Sequence, residues 1–254
     1  MGLRVAICQY DIGWYDKQAN LARVDEMLAT IEADLIVLPE MFQTGFVTDV
    51  DCVAETMEGE TVAAMRRWAV RSDAAVAGGA VIREGGRCYN RLLFVEPSGR
   101  VSYADKRHLF TPSGENTRFE PGRRRTVVEW RGVRFMLQIC YDLRFPVWSR
   151  NRGDYDAVIY SALWPAPRQK AWTTLLAARA IENQCYAIGV NRTGDEPGLH
   201  YAGGSRIMDF RGDEIAALDD TAGVAVAELD LEPMRAFRSK FTALRDADRF
   251  EVEL

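Results

Sequence analysis

Residues 135–146 read FMLQICYDLRFP, an apolar run that stops in a cysteine and passes at once to a tyrosine, an acid and, two residues later, an arginine. A short run of large apolar residues bounded by polar ones is the pattern of a buried strand. Cys140 at its end has two readings. It can be one more small hydrophobe, as most free cysteines are, or a thiol delivered by a strand to the edge of a cleft. The rest of the chain has to decide between them.

Outward from this stretch, similar runs recur: RVAICQY (4–10), DLIVLPE (34–40), AAVAGGAVI (74–82), RLLFVEP (91–97), TVVEW (126–130), VRFMLQICY (133–141), YDAVIYSALWP (155–165), CYAIGVNR (185–192) and GVAVAELD (223–230). Each is a predicted strand. Between several of them the apolar period changes to that of a helix: Leu21, Val24, Leu28 and Ile31; Val62, Met65 and Ala69; Trp172, Leu175, Leu176 and Arg179 with Ala180. EWRGVRF and EPSGRVS carry hairpin-turn chemistry, so antiparallel pairs should stand beside helix-connected ones in a mixed sheet. No low-complexity linker or short repeat divides the 254 residues, and one α/β domain spanning 1–254 is expected.

Hydrophobic residues make up 48% of the chain and charged residues 27%, with a net charge of −5. That balance gives no general attraction to nucleic acid or to anionic lipid. No apolar stretch is long enough to span a bilayer, and the start lacks a long apolar segment, so a cytoplasmic protein is expected. The cysteines (Cys8, Cys52, Cys88, Cys140, Cys185) lack the paired spacing of a zinc or disulfide framework. With only His108 and His200 in the chain, imidazole is scarce for a metal site or a Cys-His pair. A nucleophilic Cys140 would need another activator.

Two further strand ends offer one. Glu40 closes LIVLPE and Lys106 follows VSYAD, and in α/β sheets such ends and the loops after them line the ligand crevice. A carboxylate partly buried behind Pro39 and beside Phe42 can act as a proton acceptor. An ammonium can favour a thiolate and then stabilise the oxyanion formed when sulfur attacks an amide carbonyl, with the backbone N–H of Tyr141 as a second donor. This division of labour needs no histidine.

LIVLPEMFQTGF, YADKRHLF and QICYDLRFP, in this order and at these spacings, resemble the glutamate, lysine and cysteine signatures of the nitrilase, or carbon–nitrogen hydrolase, superfamily. VAICQYDIGWYDKQAN and AARAIENQCYAIGVNR resemble its first strand and its helix and strand after the nucleophile, so the resemblance covers nearly the whole chain. CYDLRFPVW and ALWPAPRQKAW are most similar to the omega-amidase branch. The resemblance implies a four-layer α-β-β-α sandwich, a homodimer, no metal or organic cofactor, and hydrolysis of the distal amide of 2-oxoglutaramate or a related 2-oxo acid amide. Residue by residue it implies Glu40 as general base, Lys106 as oxyanion stabiliser and Cys140 as nucleophile. Glu115, in PSGENTRF, would orient Lys106 and help deliver the hydrolytic water.

Arg144 can serve as a structural partner of Asp142 or as the fork that holds a substrate carboxylate, a role the branch resemblance favours. Trp164 and Phe42 are candidate pocket walls. His108 is redundant beside a complete Glu-Lys-Cys set, and His200, in EPGLHYAGGS, is expected in a loop near the site mouth. Competing readings are an N-carbamoyl amino acid hydrolase or general aliphatic amidase, a non-catalytic interaction protein on the same fold, and a redox-sensing thiol with Cys185 or Cys52 as resolving partner.

Overall fold

Each predicted strand forms. The computed structural model describes residues 2–253. In chain order, β1 (Leu3–Gln9), β2 (Leu35–Val37), β3 (Ala75–Glu84), β4 (Arg87–Val95) and β5 (Val101–Asp105) are followed by β6 (Val127–Trp130), β7 (Val133–Ile139), β8 (Ala157–Ser161) and β9 (Tyr186–Val190). Then come β10 (Thr193–Glu196), β11 (Leu199–Ala202), β12 (Arg206–Met208), β13 (Glu214–Ala217) and β14 (Gly223–Leu229). They assemble into two six-stranded sheets, β14-β1-β2-β3-β4-β5 and β13-β12-β9-β8-β7-β6, and a separate β10-β11 hairpin. Each sheet has a parallel centre (β1-β2-β3 and β7-β8-β9) with antiparallel flanks.

Four longer helices, α1 (Lys17–Leu28), α2 (Glu60–Ser72), α3 (Gln169–Asn183) and α4 (Leu231–Lys240), supply the outer layers. Successive strand residues point to opposite faces. In β1, Ala6 and Cys8 join the outer core with Leu21, Val24 and Leu28 of α1 and Val62, Met65 and Trp68 of α2. Val5 and Ile7 face the other way, toward the second sheet. The two sheets meet where Phe94 of β4 and Phe135 of β7 approach at 6.1 Å between ring centres. Both rings are fully buried, and burial of such a side chain contributes about 1.5–3 kcal/mol. Trp172, Leu176 and Ala180 of α3 cover the far face of the second sheet, completing an α-β-β-α sandwich.

Departures from the expected elements have local causes. α1 stops at Leu28, so Ile31 packs against the outer core from the loop after the helix. β10, β11, β13 and α4 were not legible in the apolar pattern because much of their surface is exposed or intermediate, and β12, though largely buried, is only three residues long. The two-residue turn joining β6 to β7 has positive φ at both Arg131 (46°) and Gly132 (80°), which fits the twist of the paired strands. Among the described residues no helix is long and apolar enough to cross a membrane.

This topology brings distant residues together. β2 and β5 run in the same direction in the first sheet, and β7 and β8 do so in the second. Their C-terminal ends deliver Glu40, Lys106, Cys140 and Leu163 to one place.

Candidate active site

Glu40 lies three residues beyond β2, because the chain leaves the ladder at Pro39. Leu38 still donates to Ala77 O, and Gly79 N donates to Pro39 O at 3.1 Å. A Cβ on Gly79 would sit 2.8 Å from Glu40 Cα, so only glycine lets the bend lie this close to β3. Met41 then takes φ of 40° and reverses the chain.

The reversal decides which aromatic residue meets the cleft. Phe42 goes into the outer core, where its ring centre lies 6.0 Å from that of Trp68, and it is not among the cavity-lining residues. The expectation that Phe42 walls the pocket is therefore corrected. Phe46, from the same segment, takes that position beside Lys106, 5.9 Å from ring centre to Nζ.

Lys106 follows β5 directly and is 1% exposed. Its Nζ donates to Glu40 Oε1 (2.8 Å) and to both oxygens of Glu115 (3.1 and 3.0 Å). Burial alone would lower its pKa. The charges of Glu115 and Glu40 outweigh burial and hold it well above the usual lysine range, so the side chain is an ammonium. With one proton on each carboxylate, the third N–H remains for the cavity that Lys106 lines.

Glu115 belongs to a short 3₁₀ turn and is fully buried. Its two oxygens accept from Lys106, from Asn90 Nδ2 (2.8 Å) and from Phe110 N (2.6 Å). Three donors therefore reach Glu115, the Lys106 N–H being shared between its two oxygens. Glu40 accepts three: Lys106, Asn90 Nδ2 (2.7 Å) and Leu163 N (2.9 Å). One lone-pair position on Glu40 is left, within reach of the Cys140 thiol. Proximity to the thiol separates two otherwise similar glutamates, because Glu40 and not Glu115 reaches Cys140.

Asn90 escaped the sequence reading because an asparagine at the start of YNRLLF looks like an ordinary strand residue. Its single Nδ2 bridges both carboxylates. Asn90→Ala should leave Glu40 and Glu115 each short of a buried donor and lower unfolding stability by about 1–3 kcal/mol. Thermal melts and steady-state rates should fall together, and unchanged values of both would remove Asn90 from the site.

Cys140 is the first residue of the 3₁₀ turn Cys140–Arg144 and holds φ at 43°, a left-handed conformation that is sparse for a side chain with a Cβ. Asp142 fixes the turn by accepting from Ile139 N (3.1 Å) and His108 N (2.9 Å), with His108 Nδ1 at 2.8 Å. His108 also stacks on Phe145 at 3.8 Å. It thus joins the loop after Lys106 to the loop after Cys140. Burial and the Glu40 charge push the Cys140 pKa well above the usual thiol range, against the opposing charge of Lys106, so the resting group is a thiol.

The cavity above Cys140 is lined by Lys106, Tyr141, Arg144, Trp164 and Arg168, among others, with Phe46, Phe110, Leu163, Leu199 and Tyr201 supplying apolar wall. Trp164 is 2% exposed, and the Arg144 guanidinium lies 4.9 Å above its ring. The alternative partner of Arg144, Asp142, is occupied by the backbone and His108. His200 is on β11, faces outward and pairs with Asp195 at 2.8 Å, while its neighbours Leu199 and Tyr201 face the cavity. Cys185 is fully buried with its sulfur on Arg179 O, and Cys52 is exposed.

A thiol, a carboxylate with one acceptor position open and an ammonium with one donor open, gathered at the strand ends of an α-β-β-α sandwich, define a thiol amidase. The family model described as carbon-nitrogen hydrolase matches residues 4–239, and the chain belongs to that family. It is 47% identical to the omega-amidase YafV of Yersinia enterocolitica over 98% of both chains. It is 30% identical to a 2-oxoglutaramate amidase of Bacillus subtilis, over 95% of this chain and 96% of that one. Among solved structures, a CN-hydrolase superfamily protein from Xanthomonas campestris, crystallised with an arsenic adduct in its active site, superimposes with a TM-score of 0.97 at 39% identity over 100% of both chains.

Proposed function

We propose that this chain hydrolyses the distal amide of a small 2-oxo dicarboxylic acid monoamide, 2-oxoglutaramate or 2-oxosuccinamate, to the 2-oxo acid and ammonia through a thioester on Cys140. The observation that carries the reading is Arg144, a guanidinium on the wall of the Cys140 cavity with no carboxylate in hydrogen-bonding distance among the described residues. The relatives named omega-amidase and 2-oxoglutaramate amidase support the same substrate class.

In this mechanism Cys140 Sγ attacks the amide carbon while its proton passes to Glu40, because a thiol held above its ordinary pKa does not ionise beforehand. The carbonyl electron pair moves to oxygen and is stabilised by the third N–H of Lys106 and the backbone N–H of Tyr141. Glu40 returns the proton to nitrogen, the C–N bond breaks and ammonia leaves. Water then attacks the thioester, Glu40 takes its proton, and collapse restores the thiol and releases the acid. Glu115 orients Lys106 and helps deliver the water.

An ammonia-release panel tests the substrate class: 2-oxoglutaramate, 2-oxosuccinamate, glutamine, asparagine, an N-carbamoyl amino acid and a simple nitrile. Preference for the carbamoyl compound or the nitrile would overturn the reading. Arg144→Met should raise KM and lower kcat/KM for 2-oxoglutaramate at least about tenfold, since a charge-assisted hydrogen bond contributes about 1.5–3 kcal/mol in ground state and transition state alike. Lysine should restore part of this, because an ammonium lacks the planar fork. Equal impairment of a neutral amide of similar length, in a folded variant, would make Arg144 structural.

The proposal includes a cytoplasmic homodimer. Ile181 on α3 and Phe241 just after α4, 54% and 59% exposed, leave apolar surface on the outer face of the second sheet's helices, where a second copy could cover it. Light scattering coupled to size exclusion reads the mass directly.

A further inference from the structure

Arg168 is the second arginine of the cavity; it lies within ALWPAPRQKAW, but neither that motif nor the mechanism above gives it a role. It follows the short WPAP loop in a 3₁₀ turn, half-buried, with its guanidinium carbon 5.0 Å above the ring of Phe110. Trp164 ties the two arginines together. Its face carries Arg144, and its indole N–H donates to Arg168 O at 2.8 Å. Phe110, which carries Arg168, donates its backbone N–H to Glu115. Arg168 is therefore held in the same frame as Lys106.

The contrast with other arginines is informative. Arg91, Arg134, Arg192 and Arg238, all buried or partly so, each hold a carboxylate. Arg144 and Arg168 hold none among the described residues, and each has its guanidinium carbon over an aromatic ring, at 4.9 and 5.0 Å. A ring under a guanidinium uses up none of its N–H donors as a carboxylate would, and both side chains line the cavity.

We propose that Arg168 is a specificity residue, donating to the 2-oxo oxygen of the substrate and repelling the 2-ammonium of an amino acid amide. The inference rests on the substrate reading above. A monocarboxylate tail fills one guanidinium fork bidentately, and Arg144 supplies it. The group on the adjacent carbon then meets the neighbouring cation. A carbonyl oxygen there accepts a hydrogen bond. An ammonium has no acceptor and shares the sign of the charge it faces, which weakens binding in a partly desolvated cavity. The pair of arginines would thus select a 2-oxo acid amide over glutamine without any residue that clashes with glutamine.

The test compares three amides of one length, 2-oxoglutaramate, glutaramate (which lacks the 2-oxo group) and glutamine, with pentanamide as the neutral control. In the wild type both acids should exceed pentanamide in kcat/KM, and glutamine should be poor. Arg168→Met should lower kcat/KM for 2-oxoglutaramate at least about tenfold, change glutaramate by less than about threefold, and shrink the preference over glutamine by at least the same tenfold. Arg168→Lys should keep the rejection of glutamine and recover 2-oxoglutaramate only in part. Equal losses on 2-oxoglutaramate and glutaramate in both variants, or an unchanged preference over glutamine, would overturn the role of Arg168 while leaving the amidase reading intact. A wild-type enzyme that handles pentanamide as well as the two acids would overturn the substrate reading and this inference together. Melting curves identify a variant that fails to fold, and the lysine variant, which keeps the charge and most of the stem, then decides.

Discussion

Cys140→Ala should show no ammonia release above the uncatalysed background, in a protein that melts as the wild type does. Stability should hold for a specific reason. Alanine keeps the Cβ, so the left-handed backbone at residue 140 is no more strained than before, and the hydrogen bond that the substitution removes is a weak one from Sγ to Leu163 O at 3.6 Å. Activity should vanish because the thioester route divides one difficult hydrolysis into two easier steps and needs the sulfur for both. Wild-type enzyme quenched during turnover should carry an acyl group on Cys140 by mass spectrometry. Cys52 is the exposed competitor for adventitious adducts, and a Cys52→Ser background removes it. An adduct that remains on Cys8, Cys88 or Cys185 would sink the assignment. Burial and Glu40 displace the thiol upward, so alkylation of free enzyme at Cys140 should still be rising with pH above about 9, beyond the ordinary thiol range.

The reacting groups were legible because each follows an apolar run whose period marks a strand, and because a buried ammonium and carboxylate, unlike a thiol, have no place in an ordinary core. Cys140 and Lys106 come immediately after β7 and β5, as their runs suggested. The groups that hold them were not legible. Asn90 and Phe110 look like residues of any strand or loop, and their importance comes from partners 5 to 50 residues away in the chain. Phe42 and Phe46 both stand in EMFQTGF, and only the reversal at Met41 decides that the first enters the core and the second the cleft. Glu115 shows the same limit. Acids in Gly- and Ser-rich loops are usually solvated, yet here the loop is folded inward by Lys106, Asn90 and Phe110 N.

Lys106→Met should lower kcat by roughly two to three powers of ten, with a smaller change in KM, because the third N–H of the ammonium acts where negative charge develops and one such donor contributes about 2.7–4 kcal/mol. The same substitution attacks the fold. Glu40 and Glu115 share this one cation at 2.8 and 3.0 Å, all three groups are buried, and removing one member of a buried ion cluster costs about 3–5 kcal/mol. A low rate in Lys106→Met alone could therefore come from a displaced Glu40. Combining it with Glu115→Gln removes one of the two stranded charges and keeps the shape of the side chain, while giving up one hydrogen bond among those from Asn90 and Phe110. The double variant should melt closer to the wild type than Lys106→Met does, while kcat stays at the level of the single variant. Stability and rate then separate, as they must if the ammonium serves two functions through different protons. A double variant that regains both the melting temperature and the rate would reduce Lys106 to a structural counter-ion, and oxyanion stabilisation would pass to the backbone N–H of Tyr141 alone.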